Sequence, residues 1–181
     1  RAGLAAVQPS GRDRLDVVVS NKETAQLRQV LAGMDFREYQ LKEALAEVTR
    51  EYDAIVLDVA PGADVLQISA LVASDYFLIP VSLAHLAVVG VIDVLATVAS
   101  LKRISAFRGE LLGILPTFWD RTTNESAEQL RMMTEKFGKL VWPPIPVDVK
   151  AREAPRYGLT LWEYAPDCRA LAGVEIRTRR V

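Results

Sequence analysis

Tyr52–Gly62 reads Tyr-Asp-Ala-Ile-Val-Leu-Asp-Val-Ala-Pro-Gly, and this stretch constrains the fold most. Ile55, Val56 and Leu57 run without polar alternation into Asp58. A strand half-exposed to water alternates apolar and polar residues, whereas a parallel strand covered on both faces does not. The run therefore predicts a strand inside an α/β sheet. Asp58 would fall at its carboxyl end, where open sheets of this class bind ligands. Pro61 and Gly62 would turn the chain into the next helix. A carboxylate there can organise the water shell of Mg²⁺. It can equally serve as a cap for the following turn, and the stretch alone leaves both readings open.

The rest of the chain continues the alternation. Short strands are expected at Leu15–Val19, Tyr76–Val81, Glu110–Thr117 and Leu140–Val147. Residues 1–13 read as a loop. Helices are expected at Glu23–Ala32, with Ser20 or Asn21 as cap, and at Phe36–Glu51, Ala63–Ala73 and Leu83–Leu101. Further helices are expected at Thr122–Phe137, Asp148–Arg156 and over 166–175. Pro80, Pro143, Pro144 and Pro146 limit how far regular pairing can run in their strands. The pattern predicts an α/β fold with a mostly parallel sheet flanked by helices, in one domain spanning residues 1–181.

Composition removes several classes. With 181 residues, the chain can bury roughly 70% of the surface its unfolded form exposes. Its net charge of −1 supplies no global field for nucleic acid or acidic lipid, so such binding needs a local patch. The single cysteine, Cys168, cannot form an internal disulfide, and no Cys/His spacing for zinc or Ser/His/Asp nucleophile set occurs. There is no uncharged run of about 18 apolar residues to cross a membrane. These features predict a cytoplasmic protein. His85, the one histidine, is expected to pack in an apolar helix, and Trp119 either packs or stacks on a ligand near its strand end.

Four segments, in order between Tyr52 and Gly158, together resemble the ParA/Soj/MinD family of deviant-Walker P-loop ATPases, and ParA partition proteins most closely. Tyr52–Pro61 looks like the Walker-B and switch segment, and Leu71–Val81 like the helix and strand after it. Gly113–Asp120 resembles the strand that reaches the base. Ile145-Pro146 through Glu153-Ala154-Pro155 and Gly158 resembles the late segment near adenine and DNA.

The resemblance implies that Asp58 organises Mg²⁺ through water and that Ala60, Pro61 and Gly62 sense the γ-phosphate. It implies that Thr117, Pro146 and Asp148 lie near the adenine of ATP. It further implies an ATP-dependent homodimer that binds DNA non-specifically, and a ParB-like partner that stimulates hydrolysis. The setting implied is DNA partitioning on a bacterial nucleoid. Lys150 occupies the position of the family's DNA-contacting arginine, with Arg152 and Arg156 nearby; the other reading of all three is solvated surface charge.

The chain departs from the pattern in three places. No Gly-Lys-Thr or Gly-Lys-Ser occurs in it, so the P-loop that cradles the phosphates is missing from these residues. Together with the initial Arg1, this leads to the expectation of a fragment that does not hydrolyse ATP by itself. Its sheet would lack the neighbour of the Tyr52–Gly62 strand. The switch reads Asp58-Val59-Ala60-Pro61 where the family usually has Asp-x-Pro-Pro, and Lys150 replaces an arginine fork with a point charge. A non-enzymatic dimerisation module is the alternative. A MinD-like membrane relative is a weaker option, because Leu171–Val181 is short and polar for an amphipathic anchor.

Overall fold

The computed structural model describes residues 6–20, 23–60, 64–84, 86–104 and 106–171. His85, Pro61, Gly62, Asn21 and the basic residues Arg177, Arg179 and Arg180 lie outside the described residues. The chain forms two compact units. One comprises residues 1–75 and 97–110, the other 76–96 and 111–181.

The first unit opens with a hairpin, β1 (Gln8–Arg12) against β2 (Leu15–Val17), antiparallel with an irregularity between Pro9 and Arg12. The loop expected over residues 1–13 is thus partly strand, and β2 finds a local rather than a parallel partner. Gly11, at φ +80, supplies a backbone conformation that L side chains rarely adopt. Helix α1 (Glu23–Ala32) follows as expected. The single helix expected over Phe36–Glu51 is instead three short pieces. These are a 3₁₀ turn at Arg37–Tyr39, α2 (Gln40–Leu45) and a second 3₁₀ turn at Val48–Arg50.

Helix α3 (Val65–Ala73) buries Ser69, Ala70, Leu71 and Val72 and packs on α1, α2 and the Arg37–Tyr39 turn. Ser69 Oγ donates to the carbonyl of Arg37 at 3.2 Å and to that of Val65 at 2.8 Å, which satisfies a buried hydroxyl.

The central expectation fails in one respect. Residues 54–60 carry no strand, and Val56 is 90% exposed. An apolar run encodes burial between neighbours, but a ladder also needs a strand beside it. The only strands described in this unit pair with each other as a hairpin, apart from the first residue of β4.

The second unit holds a βαβ element. Strand β3 (Tyr76–Ser82), helix α4 (Ala87–Arg103, of which residues 87–96 belong here) and strand β4 (Glu110–Thr117) follow one another. Glu110 N–H donates to the Asp75 carbonyl where the strands begin, and Leu83 N–H to the Thr117 carbonyl where they end. Matching ends mean that β3 and β4 run parallel. Helix α4 starts later than expected, at Ala87.

On the other side of β4, the expected strand Leu140–Val147 is reduced to two parallel bridges, Ile114 with Val141 and Trp119 with Pro146. Pro143, Pro144 and Pro146 have no N–H to donate, so pairing survives only where other residues supply donors. The core joins Ile79, Leu83, Val88, Val91, Ile114 and Met133. Met133 comes from α5 (Asn124–Phe137). Then follow α6 (Val149–Glu153), a 3₁₀ turn at Ala154–Tyr157 and α7 (Leu161–Tyr164); of the helix expected over 166–175, residues 169–171 are helical and 172–175 lie outside the described residues. Helix α7, unforeseen in the sequence, is fixed by a capping box between Thr160 and Glu163.

Candidate functional site

The two units carry different parts of the expected site. In the first, Asp58 is exposed, and no hydrogen bond or ion pair engages it among the described residues. Ala60 is exposed as well. The capping role open to Asp58 is taken by Asp64, whose Oδ1 accepts from the Leu66 N–H at 3.0 Å and the Gln67 N–H at 3.1 Å. No cluster of metal-ligating side chains occurs among the described residues.

In the second unit the expected residues do come together. Strand β4 delivers Thr117 to its carboxyl end. Phe118 then takes a left-handed conformation, φ 54, at a site where a side chain ordinarily costs about 1–2 kcal/mol. This single turn lets Trp119 rejoin the ladder. Ile145 N–H donates to the Pro116 carbonyl at 2.8 Å, Trp119 N–H to the Ile145 carbonyl at 2.9 Å, and Val147 N–H to the Trp119 carbonyl at 2.9 Å. Thr117 and Pro146 thereby sit on neighbouring chain segments at one sheet end.

Trp119 packs against the core, and the Arg121 guanidinium covers its ring at 4.7 Å. Of the two readings open for Trp119, the structure shows packing. Asp120 accepts from the Thr122 hydroxyl at 2.7 Å and the Thr122 N–H at 2.9 Å; the hydroxyl bond first, then the N–H, holds its carboxyl below the usual range.

Asp148 is committed to structure. One oxygen accepts from the Lys150 N–H at 2.9 Å and caps α6, and the other accepts from the Arg169 N–H at 3.0 Å. Its carboxylate thus positions the basic segment. Within that segment Arg152 and Arg156 are exposed. Lys150 is held more closely. Its Nζ lies 2.9 Å from Glu153 Oε2, and the Tyr164 hydroxyl donates to the same oxygen at 3.0 Å. The ammonium also stands 5.5 Å from the Tyr164 ring centroid, and Tyr157 stacks on that ring at 5.3 Å. The Glu153 hydrogen bond holds the Lys150 ammonium above the usual lysine range. The bonds from Lys150 and then Tyr164 hold the Glu153 carboxyl below the usual range.

Glu153, Tyr164 and Phe118 were missed by sequence reasoning. The i,i+3 spacing of Lys150 and Glu153 was the one available signal. Nothing local predicts that Tyr164, eleven residues on, joins them.

Comparison with known proteins places these features. A family model described as an AAA domain matches residues 4–108. An uncharacterized protein of Pseudomonas putida is 30% identical over 185 residues, covering 97% of this chain and 69% of that protein. The chromosome-partitioning ATPase Soj of Thermus thermophilus is 35% identical over 126 residues, covering 68% of this chain and 51% of its own length. Among solved structures, an ATP complex of a McdA variant from Cyanothece superposes with a TM-score of 0.85 at 25% identity, covering 96% of this chain and 70% of that one. The fold is the P-loop NTPase-like α/β fold, with helices flanking a parallel sheet. The chain belongs to the AAA-domain family and, by these relatives, to its ParA/Soj/MinD line.

Proposed function

We propose that this chain works as part of a ParA-type partitioning ATPase, in which Mg-ATP controls dimerisation and non-specific DNA binding. We take its two units as parts of one ParA-like domain. The observation that carries the reading is the junction of β4 with residues 145–147, which sets Thr117 beside Pro146 and leads directly into the Asp148-capped basic segment. Thr117 and Pro146 would face the adenine, while Asp148 holds the geometry around them. Asp58 would organise Mg²⁺ through water, with Ala60, Pro61 and Gly62 as the γ-phosphate switch.

The basic trio Lys150, Arg152 and Arg156 would meet DNA phosphates, whose recognition by point charges carries no sequence information. A homodimer, a ParB-like stimulating partner and a place on the bacterial nucleoid in the cytoplasm belong to the same reading. Among the described residues no helix is long and apolar enough to cross a membrane.

ATP turnover requires backbone N–H groups and a lysine around the phosphates, which these 181 residues do not contain as a Gly-Lys-[Thr/Ser] loop. The test pairs duplex binding, followed by fluorescence anisotropy, with ATP turnover. The chain should bind duplexes of unrelated sequence equally and should not turn over ATP by itself. ATP turnover by these residues alone would overturn the expectation that they lack the phosphate-binding loop, and strong preference for one DNA sequence would overturn the non-specific DNA reading.

A further inference from the structure

Three cations cluster on the segment 150–156, but they are not equally available. Arg152 and Arg156 reach solvent. Lys150 is engaged by Glu153, and the engagement has a specific shape. Two donors, the Lys150 ammonium and the Tyr164 hydroxyl, converge on the single oxygen Oε2 of Glu153, at 2.9 and 3.0 Å. Tyr164 is itself braced by the stacked ring of Tyr157. An ammonium and a hydroxyl aimed at one anionic oxygen form the donor pair a phosphate oxygen also takes.

We propose that Lys150 and Tyr164 form a phosphate cradle for duplex DNA, filled in the free protein by the carboxylate of Glu153, which thereby sets DNA affinity. This inference rests on the DNA-binding reading above and names the residue that regulates it. The exchange is feasible because the Lys150–Glu153 pair is half-exposed, at 51% and 35% of side-chain surface, where ion pairs hold weakly. A duplex phosphate comes with neighbouring phosphates for Arg152 and Arg156, so it competes with a single carboxylate through several contacts at once.

The proposal makes a distinctive statement about salt. In the native protein Lys150 is already neutralised by Glu153, so its transfer to a phosphate gains no net pairing. Only Arg152 and Arg156 then contribute to counterion release, giving a slope of log K against log salt of about −1.8. With Glu153→Gln the lysine counts as well, and the slope steepens to about −2.7.

The experiment measures duplex binding by anisotropy over a salt series for the full chain, Glu153→Gln, Lys150→Ala and the two combined, with circular dichroism as the check on folding. Glu153→Gln should tighten binding roughly 3–10-fold at low salt and steepen the slope by about 0.9. Lys150→Ala should weaken duplex binding by the native protein, because it leaves the Glu153 carboxylate without its ammonium beside the phosphates, and should abolish the gain in the Glu153→Gln background. Tyr164→Phe should remove part of that gain. If the native chain binds duplex but Glu153→Gln alters neither affinity nor slope, the cradle is wrong while the DNA reading stands. If neither protein binds duplex at low salt, the DNA reading falls and the cradle falls with it.

Discussion

Gly113 is the position where the structure makes its sharpest energetic demand. It lies in β4 opposite Trp142, and a Cβ built on it would stand 2.1 Å from Trp142 Nε1, 2.5 Å from Cδ1 and 2.8 Å from Cε2. No side chain tolerates that approach, so Gly113→Ala must push the indole away. Displacement breaks the Trp142 Nε1 hydrogen bond to the Leu112 carbonyl, 3.1 Å in the native chain. Crowding β4 against the half-buried indole costs about 1–3 kcal/mol, and the part-buried carbonyl left without its donor adds about 1 kcal/mol. The sum is about 2–4 kcal/mol, or a fall of roughly 5–15 °C in Tm for a chain of this size.

All three tryptophans, Trp119, Trp142 and Trp162, lie in the second unit, so fluorescence during urea unfolding reports on it. Trp142→Leu removes the obstacle at its own cost. The double variant should therefore be more stable than the sum of the two single losses predicts, by at least about 1 kcal/mol. Additivity within about 0.5 kcal/mol would refute the claim that these two residues collide.

Other consequences can be checked in parallel. Met133→Ala, at a site with 0% exposure, should cost about 2–5 kcal/mol in urea denaturation. Asp64→Ala removes the α3 cap and should cost about 0.5–2 kcal/mol. Phe118→Gly relieves the left-handed backbone and loses only an exposed side chain, so it should fall within about 1 kcal/mol of native stability. Phe118→Val should be clearly destabilising in the same assay.

The Lys150–Glu153 pair also has a signed pH dependence. Lysine raised above its usual range contributes stability that is complete below the unfolded lysine range and is lost as pH rises through the folded value. Glutamate depressed below its range contributes above the unfolded carboxylate range and loses its contribution as pH falls through the folded value. The pair is thus intact between those limits. In Glu153→Gln the NMR titration of Lys150 should move down toward the ordinary lysine range.

Much of the fold was legible because burial and periodicity agree. Glu110–Thr117 and Tyr76–Ser82 are apolar runs that have each other as neighbours, and both form strands close to where the pattern put them. Ile55-Val56-Leu57 has the same composition but no ladder, because pairing depends on a second segment that composition cannot supply. The Leu140–Val147 strand shrank to bridges for a reason visible in its prolines. The expected 36–51 helix starts only after Phe36, whose φ of 53 no residue type there announces, and it is divided at Ala46–Glu47, where both residues keep right-handed helical angles and the last piece tightens into a 3₁₀ turn.

In the site, Thr117 and Pro146 were readable as strand ends, and the structure sets them side by side. The resemblance implies that Asp148 lies near the adenine, and in the structure its two carboxylate oxygens accept from the backbone N–H groups of Lys150 and Arg169. A cap at 150 is local information; a partner at 169 is not.

The central claim, that this chain carries the DNA-facing side of a partitioning ATPase, is tested most directly by the salt dependence of duplex binding. The native chain should bind mixed-sequence duplex with a slope of about −1.8, and Arg152→Ala with Arg156→Ala should abolish that binding while circular dichroism stays unchanged. Absence of duplex binding by the native chain at low salt, or binding that survives loss of both arginines, would contradict it.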